Sequence, residues 1–87
     1  MAVPAHSDPD TALAWGLTRG MAHTLGVNLI EAVTEGWYSR AELARLVDTC
    51  ARCGLSEHCE AWLAVTPRAA ALPSYCRNKP DLEALAP

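Results

Sequence analysis

The sequence has no phenylalanine, and aromatic residues of every kind make up only 6% of its 87 residues. Its interior must therefore be built from Leu, Val, Ala and three Trp. A chain this short lies near the lower limit for a self-sufficient core and commonly adds a metal or disulfides as a staple. No apolar run comes near the roughly 18 residues that a membrane span requires. The stretch Met1-Ala2-Val3-Pro4-Ala5-His6-Ser7 has neither the basic start nor the apolar run of a secretory signal. A cytoplasmic protein with no membrane association is expected. Positive charge is also scarce: the net charge is −3, which argues against direct nucleic-acid binding, since that binding gains from counterion release at basic patches. There is no Gly-rich phosphate loop, no G-x-S-x-G and no H-E-x-x-H. With so little room for a substrate pocket, an enzyme is not expected.

What the chain does contain is helical punctuation. No alternating apolar pattern is long enough for a strand, and no internal repeat is present. Residues 1–7 are expected to be a disordered lead, followed by a single helical domain over 8–87. Asp8-Pro9-Asp10 opens a helix, with Asp8 as N-cap and Pro9 in the first turn. Leu13, Leu17, Met21 and Leu25 form its apolar stripe, and Gly16 and Gly20 beside the stripe predict a groove where another helix comes close. Gly26 is the natural stop. Asn28 caps a short second helix with Leu29, Ile30 and Val33 inward and Gly36 at its end. Ser39-Arg40-Ala41-Glu42 is a capping box for a third helix through Leu43, Leu46, Val47 and Cys50, with Gly54 closing it. Ser56 is read as the cap of a fourth helix running to about Val65, and Asn78 as the cap of a last short one. The fold class is all-α: a compact bundle of four to five short helices closed around a four-cysteine metal site.

That site is the chemistry-bearing feature. All four cysteines fall in the carboxy-terminal half, as Cys50, Cys53, Cys59 and Cys76, with spacing C-x2-C-x5-C-x16-C. In a reducing compartment, clustered cysteines hold metal more often than disulfides. Four thiolates suit a tetrahedral zinc ion or an iron–sulfur cluster. For zinc, C-x2-C before a glycine is a common knuckle shape, but the other two cysteines stand sixteen residues apart and the C-x2-C sits at a helix end. A [4Fe–4S] cube is larger than one ion and accepts ligands from separated helix ends, where backbone N–H groups offset its charge. Cys59 and Cys76 each lie near an expected helix start, and Trp62 and Tyr75 stand close enough in sequence to shield a cluster from water. The cluster is the favoured cofactor and zinc the alternative. Four plain buried thiols, or a redox disulfide between Cys50 and Cys53, form the bland reading.

The C-x2-C-x5-C run resembles the [4Fe–4S] triplets of WhiB-like redox-responsive regulators and of endonuclease-III-type DNA glycosylases. In both groups the remaining cysteine precedes the triplet, whereas Cys76 follows it, and neither group's functional motifs are present. A broader likeness runs from about residue 10 to the end. Cys50, Cys53, Cys59, Trp62 and Leu63, then Tyr75-Cys76-Arg77-Asn78 and Leu82, resemble a family of short bacterial helical proteins of unknown function. Its hallmark is C-x2-C-x5-C-x2-W-L followed by an aromatic-C-x-N element. The resemblance implies that the four cysteines act together; it implies no reaction. Pro often follows the last cysteine in that family, and Arg77 stands there in this chain.

Secondary candidates are few. His58 adjoins Cys59 and carries an imidazole, a good zinc ligand, although four cysteines already complete a shell. Arg52 and Arg77 neighbour ligands and could hydrogen-bond near sulfur, though surface Arg is commoner. Trp15, Trp37 and Tyr38 are candidates for a contact surface or for core filling. The expected function is a small iron–sulfur protein for electron transfer or for sensing redox state, oxygen or nitric oxide, working with a protein that is its redox partner or regulated target. A zinc-stapled helical interaction module is the alternative.

Overall fold

A computed structural model of the chain describes residues 9–86. Five helices follow one another: α1 (Pro9–Thr24), α2 (Leu29–Glu35), α3 (Arg40–Ala51), α4 (Ser56–Val65) and α5 (Lys79–Leu85). No strand occurs among the described residues, so the all-α expectation holds. The expected lead over 1–7 and the Asp8 cap lie outside the described residues.

The longest helix, α1, is the central one and packs against α3, α4 and α5. Being covered on several sides, it buries more than one stripe: Ala14, Leu17, Thr18, Met21, Ala22 and Leu25 are all inside. Thr18 and Thr24 tolerate burial because each hydroxyl donates to the carbonyl four residues back, Ala14 at 2.7 Å and Gly20 at 2.8 Å. The first member of the expected stripe, Leu13, remains 40% exposed, beside a small cleft that the end of α3 and the turn to α4 leave uncovered. Of the two glycines expected to form a groove, only Gly20 does. A Cβ there would come within 3.0 Å of the Leu63 side chain on α4, whereas one at Gly16 would meet nothing.

The end of α1 shows why a glycine stands there. Gly26 has φ +85°; its N–H donates to the His23 carbonyl at 2.9 Å, and Val27 N–H donates to Ala22 at 2.9 Å. This is a full Schellman turn, which needs a left-handed residue at that position. The Asn28 side chain caps α2 by accepting from Glu31 N–H at 3.0 Å. The inward face of α2 is Leu29, fully buried Ala32 and half-buried Val33. Ile30, expected inside, is 50% exposed because it lies one position off that face. Both halves of the Ser39–Glu42 capping box form at the start of α3.

Two other expected caps are corrected. Ser56 is already inside α4, and Leu55 stands at the N-cap with no side-chain hydrogen bond. Asn78 is at the N-cap of α5 but makes no capping bond either; its amide is used elsewhere. Between α4 and α5 the chain runs irregularly, tied by Ala69 N–H to the Thr24 carbonyl at 3.1 Å. It also sends Leu72 into the core with Leu29, Leu46, Cys59 and Leu82. Tyr38 joins this core, while Trp37 stays 54% exposed and donates to Glu35 at 3.1 Å. Trp15 is half-buried under Arg19, whose guanidinium carbon lies 5.4 Å from the ring centroid.

Candidate metal centre

Each of the four cysteines sits where a regular element ends or begins. Cys50 is in the last turn of α3, half-buried. Beyond the helix, Cys53 N–H turns back to the Cys50 carbonyl at 3.1 Å, and Gly54, with φ +76°, reverses the chain. Cys59, one turn into α4, is buried in the core and donates its N–H to Leu55 at 3.0 Å. Cys76 closes a turn, its N–H bonded to the Pro73 carbonyl at 3.0 Å, and its own carbonyl accepts from Lys79 N–H at 3.1 Å.

Two long-range hydrogen bonds bring these segments to one side of the molecule. The Tyr75 hydroxyl donates to the His58 carbonyl at 3.3 Å, joining the neighbour of Cys76 to the neighbour of Cys59 across 17 positions. Asn78 Nδ2 donates to the Leu46 carbonyl at 2.8 Å across 32 positions. This buried bond fixes the Cys76 turn against α3, one turn before Cys50. Here the aromatic-C-x-N element finds its structural use: the aromatic residue and the asparagine flank the cysteine and dock it on both partners.

The electrostatics report the same convergence. Burial, first of all, and then the nearby Cys76, Cys50 and Cys53 push the Cys59 thiol up to about 11. Cys50 is also raised, by burial first and by Cys53, while its contact with the Thr18 side chain opposes the rise. Burial raises Cys76, as do Cys50 and Cys53, against N–H donors from Asn78 and Lys79. Even the Tyr75 hydroxyl is raised, by burial and then by Cys59, Cys76 and Cys53. The thiolates thus disfavour one another, and a cation shared among them would relieve that repulsion.

All four cysteines are free thiols, so the Cys50–Cys53 disulfide is not formed. Among the described residues, no three His, Cys, Asp or Glu side chains stand in place to hold a metal ion. The chemistry of the donor set nonetheless suits a thiolate-held group: four free thiols, three of them packed in or against the core, with backbone N–H donors beside Cys76.

The secondary candidates separate from the site. His58 is exposed, its ring tilted against Tyr75 with centroids 6.1 Å apart. Arg52 pairs with Asp48 at 3.2 Å in solvent, and Arg77 is exposed; His23 faces solvent and His6 lies outside the described residues. Residues the sequence did not single out do take part. Thr18 falls among the inward positions of α1, so helical spacing could have found it. Leu46 contributes only a carbonyl, which leaves no sequence signal. A hollow of about 850 Å³ between α1, α2 and α3, lined by Trp15, Ile30, Val33, Leu43 and Val47 among others, includes none of the cysteines.

A family model for a family of unknown function, DUF6455, matches residues 6–87. The chain belongs to that family. DUF6455 thus spans the described helices and all four cysteines, in accord with the short family of unknown function that the motif resembles. No curated protein and no solved structure matches the chain. No helix among the described residues is long and apolar enough to cross a membrane.

Proposed function

We propose that this DUF6455 protein is a small cytoplasmic iron–sulfur protein whose [4Fe–4S] cluster is held by Cys50, Cys53, Cys59 and Cys76. Its role is electron transfer, or sensing of redox state, oxygen or nitric oxide, together with a protein partner. The observation that carries the reading is the docking of the Cys76 turn onto both other cysteine segments, through Tyr75–His58 and Asn78–Leu46. When bound, such a cluster supplies one-electron redox chemistry with a potential set by its surroundings. The chain's own residues do the rest. Cys59, protonated at neutral pH, gives up its proton on loading, so metal affinity falls as pH falls. Trp62 and Tyr75, packed on the same core, are the side chains that would shield the cluster from water. Backbone N–H donors from Asn78 and Lys79 stabilise negative charge on Cys76.

Anaerobic purification from iron-replete cells tests this. The expected result is a brown protein absorbing at about 400 nm with about four irons and four sulfides per chain. Cys76→Ser is expected to lose the iron. A colourless protein with one zinc and no sulfide would overturn the cluster and leave the zinc-stapled interaction module, which unfolds on chelation without any redox response. A chain that binds neither metal overturns both.

A further inference from the structure

The chain before Cys76 is gripped by an ion pair that has no other evident task. Lys79 and Glu83, on successive turns of α5, meet at 2.7 Å with both side chains about 30% exposed. Each also reaches back to the same residue: Glu83 accepts from Leu72 N–H at 2.8 Å, and Lys79 Nζ donates to the Leu72 carbonyl at 2.9 Å. Both peptide groups of Leu72 are thereby held, and its side chain is buried. The next residue, Pro73, supplies the carbonyl that closes the turn onto Cys76 N–H, and Lys79 N–H closes the turn after it. Hydrogen bonds on either side of the Leu72–Pro73 peptide link thus connect the Glu83 carboxylate to the Cys76 backbone.

We infer that Lys79 and Glu83 form a clasp that positions Cys76, with Glu83 the positioning residue, so that the clasp governs how tightly the last sulfur is kept at the centre. The inference rests on Cys76 being a ligand, but its mechanical part does not. An exposed i, i+4 pair by itself adds little to a helix. This pair does more because it neutralises two backbone groups eleven and seven positions away.

The test uses the full-length reduced chain, with Glu83→Ala compared against wild type and Ser39→Ala, a cap change remote from the clasp. In the metal-free protein, iodoacetamide labelling is followed cysteine by cysteine by mass spectrometry. Loss of hydrogen bonds to a charged group is expected to raise Cys76 labelling about tenfold in Glu83→Ala. Cys50 labelling stays unchanged there, and neither rate moves in Ser39→Ala. Equal acceleration at all four cysteines, or none at Cys76, overturns the clasp. In the metal-loaded protein, a chelator should extract metal faster from Glu83→Ala than from Ser39→Ala; equal rates overturn the positioning role. If the wild type binds no metal, the proposed function fails while the labelling experiment still decides the clasp.

Discussion

From α1 to α3 the helices are joined by local devices. The Schellman turn at Gly26, the Asn28 cap, left-handed Gly36 and the Ser39–Glu42 box each join residues only a few positions apart. After Ala51 the construction changes. Both α4 and α5 begin without a side-chain cap bond, and the irregular stretch between them is held by side chains from far along the chain. All four cysteines lie at the edge of this second region or within it. The first region is specified by near neighbours, whereas the second depends on hydrogen bonds to more distant residues. It has fewer means of its own, which is where a bound cofactor would add most.

Several changes would break or sharpen that contrast. Leu82→Ala should have the largest effect. This residue is fully buried where α5 meets the core, and its truncation should cost about 2–5 kcal/mol by urea unfolding. Amide exchange should rise first over 66–86. Equal loosening of α1 would dissolve the distinction. Asn78→Ala comes next, at about 1–3 kcal/mol, because the buried Leu46 carbonyl loses the Asn78 amide as a donor. It should also weaken metal retention, measured by chelator competition. Ser39→Ala removes a local cap and should cost about 0.5–2 kcal/mol, leaving the reactivity of the cysteines untouched.

The pH dependence is smallest near neutrality and has opposite signs at its two ends. The raised thiols favour the protonated folded state. The metal-free chain should therefore lose stability as pH climbs from the ordinary thiol value of 9.0 toward about 11, through Cys59 above all. Glu83 is lowered, first by its hydrogen bond from Lys79 and then by Leu72 N–H. Its contribution is present at neutral pH and fades as pH falls below the usual carboxylate range. Thermal melts of the metal-free chain across pH check both arms, and a Cys59→Ala variant should flatten the alkaline one.

Much of the fold was legible because short-range chemistry wrote it. Gly26, Asn28, Gly36 and the Ser39–Glu42 box behave as their residue types require. The misreadings share a cause. Ser56 and Asn78 looked like caps because capping residues precede helices, but a side chain with a better partner elsewhere abandons the local role, as Asn78 does for Leu46. Gly16 and Ile30 were misjudged because a sequence marks a helix face without saying what will cover it.

The sequence by itself determined the helical class, the helix ends from Gly26 to the Ser39 cap, and the four thiols, because these depend on residue type and near neighbours; α3 itself stops at Ala51, short of the Gly54 expected to close it. Only the tertiary structure decided that the Cys76 turn docks on α3 and beside His58, through Asn78 and Tyr75, and that Lys79 and Glu83 hold Leu72. Those contacts join positions up to 32 apart, and nothing in a linear pattern specifies which distant carbonyl an amide will find.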